Sequence, residues 1–323
     1  MTAVTFGDIR AAAARLEGHA VRTPLLEVPP ETGLGARLFL KAETFQRGGA
    51  FKFRGAFNAL ACLAPEMRAR GVVAWSSGNH AQGVAATARH FGVPSVIVMP
   101  HDAPAAKRAR TEALGAEVIG YDRASESREE IAASVAAARG LTPIPPYDHP
   151  HIIAGQGTVG LEIGQVFAAR GIVPARLYVP CSGGGLVAGV ALAAHALLPG
   201  TQVVAVEPEG FDDTARSLVE GRRVINEGGS QTICDALMVS TPGEITFELN
   251  RAMGLRGMAV SDEAVRGAMR FAFEHMRLVL EPGGAAGLAA ALADARDNPG
   301  IALCAVLSGG NVDPALFARI IEG

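Results

Sequence analysis

Short, almost uninterrupted apolar runs alternate along this chain with Ala-rich amphipathic stretches, and a Gly- or Ser-rich turn separates each run from the stretch that follows. Residues 72–75 (Val-Val-Ala-Trp) lead into a helical pattern at 79–91. Residues 95–99 lead into 104–114, where Pro104 suits the first turn of a helix, and 117–120 lead into 127–138. The unit returns at 176–179 and 186–198, followed by a run at 203–207. A final run at 302–307 precedes a helix that opens near Asp313. Strands that alternate with helices predict an α/β architecture of open, twisted, mostly parallel sheets covered on both faces. Turns at the carboxyl ends of such strands are the usual ligand sites.

At 323 residues the chain is long for one domain, which predicts two. The densest turn region lies at 141–151 and contains Thr-Pro-Ile-Pro-Pro-Tyr-Asp-His-Pro, a crossing between domains. The expected division is a small domain at 48–148, mobile and carrying the substrate loop, inserted between residues 1–47 and 149–323 of a large one.

Composition narrows the function by exclusion. A net charge of −3 gives no electrostatic reason to expect nucleic acid or an anionic membrane as partner. Aromatic residues at 5% are too sparse for base-stacking platforms. Cys62, Cys181, Cys234 and Cys304 lie far apart, which is neither a disulfide framework nor a zinc pattern. No signal peptide or membrane-length apolar run is read, so a cytoplasmic protein with reduced thiols is expected.

Chemistry concentrates in five short segments. The chain holds three lysines, Lys41, Lys52 and Lys107, and Lys52 lies among Phe51, Phe53 and Arg54. An amine held among apolar groups beside a fixed cation loses its charged form and gains nucleophilicity; taken alone, the segment reads first as a surface lysine with its stem on phenylalanine. Pro180-Cys181-Ser182-Gly183-Gly184-Gly185-Leu186 follows a strand and precedes a helix, where converging N–H groups form a phosphate cradle. It is neither a P-loop nor a dinucleotide fingerprint. Ser76-Ser77-Gly78-Asn79-His80 offers two hydroxyls, an amide and free helical N–H groups to a carboxylate; the plainer reading is a helix capped by Ser77 or Asn79. Ser308, in Ser308-Gly309-Gly310-Asn311, sits at a strand tip and can meet a ring nitrogen without contributing a full charge. Glu207, Glu209, Asp212 and Asp213 form either a site for a hard cation such as Mg²⁺ or Ca²⁺ or a solvated acidic loop.

Taken together and in order, these segments, with Ala154-Gly155-Gln156-Gly157-Thr158, resemble the fold-type II pyridoxal-phosphate (PLP) enzymes of the threonine dehydratase, serine racemase and 3-hydroxyaspartate ammonia-lyase branch, over nearly the full chain. The resemblance implies a tryptophan-synthase-β-like fold in which Lys52 forms a Schiff base with PLP. Phe51 and Asn79 pack against and hydrogen-bond the ring, Ser182, Gly183, Gly184, Gly185 and Leu186 hold the phosphate, Ser308 faces the pyridine nitrogen, and Glu281 lies near the cofactor. Ser76, Ser77, Asn79 and His80 bind the substrate carboxylate, with Ser77 as the opposite-face acid/base. Glu207, the Phe211 carbonyl and Asp213 match a divalent-cation site (Mg²⁺, Ca²⁺ or Mn²⁺). Two positions depart from the family pattern: Ala50 stands where many members have serine, and Ser182 replaces the first of four glycines. The chain ends without room for the regulatory domain of biosynthetic threonine dehydratases, so feedback by isoleucine is not expected.

The implied reaction is elimination of water and ammonia from a small 3-hydroxy amino acid (threonine, serine or 3-hydroxyaspartate). The alternatives are a 3-hydroxyaspartate-specific dehydratase and a serine racemase with side elimination, and a homodimer is expected. A dicarboxylate substrate needs an added cation, for which Arg128, His149 and His151 are candidates.

Overall fold

The computed structural model describes residues 4–227 and 229–323. Its strands, in chain order, are β1 (Leu25–Glu27), β2 (Arg37–Ala42), β3 (Val72–Trp75), β4 (Ser95–Pro100), β5 (Glu117–Tyr121), β6 (Thr142–Pro143), β7 (Arg176–Pro180), β8 (Gln202–Pro208), β9 (Arg256–Val260) and β10 (Ala302–Leu307). They form a six-stranded sheet, β1-β2-β10-β7-β8-β9, and a four-stranded sheet, β5-β4-β3-β6. All pairings are parallel except β1 with β2. The apolar runs explain this arrangement: all of β4, and β10 after its first residue, is buried, as strands covered by helices on both faces require.

Each strand–turn–helix unit read from the sequence forms within a residue or two of its expected limits: β3 feeds the helix Asn79–Phe91, β4 feeds Ala105–Ala113, β5 feeds Arg128–Arg139, and β7 feeds Gly185–Leu197. Of the elements that went unread, three bear on the site or on the edges of the sheets. β6 is a two-residue edge strand within the turn-dense crossing, and β9 is an edge strand with Arg256 and Met258 exposed. The third is a 21-residue helix, Pro150–Arg170, which carries the Ala154–Thr158 motif. Its glycines serve close packing. A Cβ on Gly155 would stand 2.6 Å from the Arg54 carbonyl, and one on Gly160 would stand 2.8 Å from Val190 of the helix Gly185–Leu197.

The helix Lys52–Ala61 packs against both Pro150–Arg170 and Asn79–Phe91 and so stands between the two sheets. Arg54 ties its first turn down from inside the protein. The guanidinium donates to both Glu43 oxygens at 2.8 Å and to Glu162 at 2.7 and 3.0 Å. Lys41 joins Glu162 at 2.5 Å. The cluster holds two cations and two carboxylates, and Lys41, Glu43 and Arg54 are each no more than 1% exposed.

Candidate active site

The carboxyl ends of β3, β7 and β10 open onto one cleft of about 470 Å³, inside the range of small-molecule sites. Lys52, the 76–80 turn, Arg128, the 180–186 turn, Glu281 and Ser308 all line it. The segment 48–148 supplies the first three of these and the rest of the chain supplies the others. The Ala154–Thr158 motif does not line the cleft; its Thr158 hydroxyl donates to the Gly155 carbonyl and accepts from Arg54, which braces the helix from behind.

Lys52 Nζ donates to the Pro146 carbonyl at 2.7 Å and lies 5.1 Å from the centre of the Phe51 ring. Burial pushes its pKa down to about 8, which brings the neutral, nucleophilic amine within reach near neutral pH. The neighbouring cation expected from the sequence makes no contribution: Glu43 and Glu162 neutralise Arg54 on the far side of the helix.

Glycine is required throughout the 183–185 turn by what surrounds it. A Cβ on Gly183 would fall inside the Tyr147 ring, one on Gly184 (φ +91°) would stand 2.8 Å from Thr246 Oγ1, and one on Gly185 would stand 2.9 Å from the Tyr147 carbonyl. The Gly183 carbonyl accepts from Thr246 Oγ1 at 2.6 Å, and the helix begins at Gly185, so the first-turn N–H groups have no helical acceptor. This turn suits a phosphate monoester. Ser182 fits because it avoids the left-handed region, which Arg277 alone of the described non-glycine residues enters.

The 76–80 turn departs from the simple capped helix. The cap is Gly78, without a side-chain cap, and Ser76 Oγ accepts from the Gly78 N–H at 3.1 Å. The Ser77 hydroxyl makes no hydrogen bond among the described residues. His80 is the buried member of the turn. It is 2% exposed, its Nε2 lies 2.9 Å from the Ile144 carbonyl, and burial together with Lys52 lowers its pKa to about 3. Both effects favour the neutral ring.

Asn79 Nδ2 donates to Glu281 Oε1 at 2.5 Å. Glu281 is 5% exposed, and burial raises its pKa to about 7 against the opposing bond from Asn79. Ser308 lies beneath the same wall, and its carbonyl accepts from the Phe51 N–H. Ala50 is buried and bridged to Gly309. Of the candidate cations for a second carboxylate, Arg128 lines the cleft with Arg123 and Lys107, while His149 and His151 are not among its lining residues.

Sequence reasoning missed the segment 235–239, which lines the cleft, and residues in 144–148, read only as a crossing. Ile144 holds His80, Pro146 holds Lys52, and Tyr147 backs the glycine turn. Asp148 caps the helix Glu244–Ala252 through the N–H groups of Glu244, Ile245 and Thr246 at 2.9–3.1 Å, which places Thr246 on the Gly183 carbonyl. The Pro-Pro-Tyr-Asp cluster was the available signal, but its partners are remote in sequence.

Glu207, Phe211 and Asp213 lie outside the cleft lining. Glu207 accepts from the N–H groups of Thr214 and Ala215, and Asp213 Oδ1 accepts from Asn226. Asp213 Oδ2 is buried without a partner. Burial, and then the neighbouring Asp213, raise Glu207 well above the usual range, and burial brings Asp213 to about 6. Among the described residues no group of three or more His, Cys, Asp or Glu side chains gathers there.

The family model described as "Pyridoxal-phosphate dependent enzyme" matches residues 16–309. The chain is 42% identical to the L-threo-3-hydroxyaspartate ammonia-lyase of Saccharomyces cerevisiae, over 100% of this chain and 98% of that protein. It is 40% identical to the L-threonine ammonia-lyase of Thermotoga maritima, over 99% of this chain and 78% of that protein. The maize serine racemase superposes with a TM-score of 0.91 at 37% identity, over 99% of this chain and 98% of that one. A buried lysine sharing one cleft with a glycine turn suited to a phosphate is a donor set that fits this cofactor, and the chain belongs to the pyridoxal-phosphate-dependent enzyme family.

Proposed function

We propose that this protein eliminates water from 3-hydroxyaspartate, and that hydrolysis of the resulting imine releases ammonia and a 2-oxo dicarboxylic acid. The observation that carries the choice of substrate is Arg128. Within the cleft, Lys107 is paired with Asp235 and Arg123 with Asp102. Arg123 and Arg128 each commit only Nε, to Asp102 and Glu129, and the terminal nitrogens of both make no hydrogen bond among the described residues; Arg128 is the more buried of the two and so the better placed to meet a substrate inside the cleft. A free guanidinium fork matches the side-chain carboxylate that distinguishes hydroxyaspartate from serine and threonine. The relative named for L-threo-3-hydroxyaspartate supports the same reading.

Bound pyridoxal phosphate supplies the electron sink for breaking bonds at the α-carbon. The chain's own groups do the rest. Ser76, Ser77 and the N–H groups opening the helix Asn79–Phe91 hold the α-carboxylate. The Lys52 amine takes the α-proton, Arg128 holds the β-carboxylate, and the Ser308 hydroxyl offers the ring nitrogen a neutral partner. The unbonded Ser77 hydroxyl supports a second reading, proton exchange from the opposite face and hence racemisation. We place a Mg²⁺, Ca²⁺ or Mn²⁺ ion on Glu207, Asp213 and the Phe211 carbonyl. Thr214 carries structure from there to the cleft, since it donates to Glu207 and lies 3.4 Å from Cys181 Sγ, beside the glycine turn. A homodimer and a cytoplasmic setting complete the proposal; Phe45, Phe273 and Val279 are exposed apolar groups of the kind a second copy covers, and no helix among the described residues is long and apolar enough to cross a membrane.

The test is 2-oxo acid release from the four 3-hydroxyaspartate stereoisomers, L-threonine and both serines, in the wild type and in Arg128→Met. One hydroxyaspartate isomer should be preferred. The variant should lose on the order of 10- to 100-fold in kcat/KM for it, the worth of a charged hydrogen-bonded contact, and lose less for threonine and serine. Equal losses on all substrates would remove Arg128 from substrate choice.

A further inference from the structure

Asn79 stands at the cleft wall with its amide held on both sides by residues remote in sequence. Glu281 Oε1 takes a hydrogen bond from Nδ2, and Asn311 Nδ2 donates to Oδ1 at 2.8 Å. The second Asn311 N–H donates to the Gly48 carbonyl at 2.7 Å. A backbone carbonyl can only accept, so Gly48 fixes which end of Asn311 turns inward. Asn311 must then offer a donor to Asn79, which holds Oδ1 and leaves Nδ2 toward Glu281. Orientation thus passes from Gly48 through Asn311 to Asn79.

The surrounding backbone is shaped to this relay. Gly48 and Gly49 both take left-handed angles, φ +74° and +72°, and a Cβ on Gly49 would stand 2.7 Å from Asn311 Oδ1. A Cβ on Gly309 would collide with Glu281 Oε1. The Gly310 N–H donates to the Gly49 carbonyl at 2.9 Å, which stitches the 308–311 turn to the loop ahead of Lys52. An amide turned over would set Nδ2 against the Asn311 amide N–H and, while Glu281 is ionised, Oδ1 against its carboxylate, losing both bonds.

We infer that Asn311 is a positioning residue: by holding Asn79 Oδ1, it keeps the remaining Asn79 N–H, and not the amide oxygen, available to the cofactor ring. The inference rests on the cofactor assignment and on Asn79 meeting a ring oxygen. Asn311 touches neither cofactor nor substrate in this role. Without it Glu281 alone holds the Asn79 amide, and a carboxyl whose pKa is about 7 can accept from Nδ2 or, protonated, donate to Oδ1, so the amide can turn its oxygen toward a phenolic oxygen, which repels it.

The test is cofactor binding to the full chain freed of cofactor, comparing PLP with its analogue lacking the ring 3-oxygen. The single tryptophan, Trp75, lines the cleft and reports binding by fluorescence, independently of turnover. Wild type should bind PLP about tenfold more tightly than the 3-deoxy analogue, the worth of one hydrogen bond to a charged oxygen. Asn311→Ala should lose most of that preference by weakening PLP alone. Asn311→Asp, isosteric but with no N–H to donate, should lose it too. Equal weakening of both ligands in either variant would make Asn311 merely structural and overturn the inference, as would a preserved preference or a wild type that does not distinguish the two ligands. A wild type that binds neither would overturn the cofactor assignment, and this inference with it.

Discussion

Glu43→Gln should be among the most destabilising single changes available in this protein, although Glu43 does not line the cleft. The carboxyl is fully buried and takes two bonds from Arg54 at 2.8 Å, one from the Thr23 hydroxyl at 2.5 Å, and lies 3.9 Å from Lys41 Nζ. The amide keeps the shape but leaves Lys41 and Arg54 facing Glu162 alone, a buried excess of one positive charge. Removing one partner of a buried ion pair costs about 3–5 kcal/mol. At roughly 2–4 °C per kcal/mol for a chain of this order, the midpoint of thermal unfolding should fall by about 6–20 °C. Lys41→Met on top of Glu43→Gln restores charge balance, so the double variant should be more stable than Glu43→Gln alone by at least about 1 kcal/mol. Acid behaviour should change as well. Burial would raise the Glu43 pKa, but Arg54 and Lys41 outweigh it and hold the carboxyl below its ordinary 4.5. A carboxyl depressed in the fold contributes stability that is present above the unfolded pKa and lost as pH falls through the folded one. Urea melts at pH 7 and pH 4 should therefore converge for the variant more than for wild type. A cost below about 1 kcal/mol, or a double variant as unstable as the sum of the two singles, would refute the reasoning.

Two further outcomes follow from the site. Ser77→Ala should abolish any interconversion of serine enantiomers, read by chiral chromatography, while elimination from the enantiomer whose α-proton faces Lys52 persists; equal loss of both at unchanged cofactor content would demote Ser77 to an organiser of the turn. Chelation should lower activity and melting temperature in part, Mg²⁺ or Ca²⁺ should restore them, and Asp213→Asn should be indifferent to both; a wild type insensitive to chelator would remove the cation from Glu207 and Asp213.

Much of the cleft was legible because strands buried on both faces write themselves as continuous apolar runs and end in turns whose residues carry the chemistry. β9 was not, since an edge strand beginning with Arg256 and exposing Met258 lacks that pattern. The helix Pro150–Arg170 was hidden by Gly155, Gly157, Gly160 and Gly164, poor helix formers on their own. Their value lies in packing against Arg54, Ile9, Val190 and Leu197, contacts that only the folded chain defines. Lys41 shows the same limit: an ordinary lysine after a strand in the sequence, it is a buried member of the charge cluster behind Lys52. Asp148 and Asn311 act across 96 and 232 residues, so no local pattern could announce them.

The most direct measurement on the central claim is made on Lys52→Ala, with cofactor absorbance and 2-oxo acid release from 3-hydroxyaspartate recorded on the same sample. Lys52 is the lysine whose amine, lowered to about 8, stands in the cleft beside Phe51; Lys41 is sealed in the charge cluster and Lys107 is paired with Asp235. The variant should fold, lose the visible band of covalently held cofactor and release no 2-oxo acid above background. A variant that kept the band and turned over at the wild-type rate would contradict the account at its root.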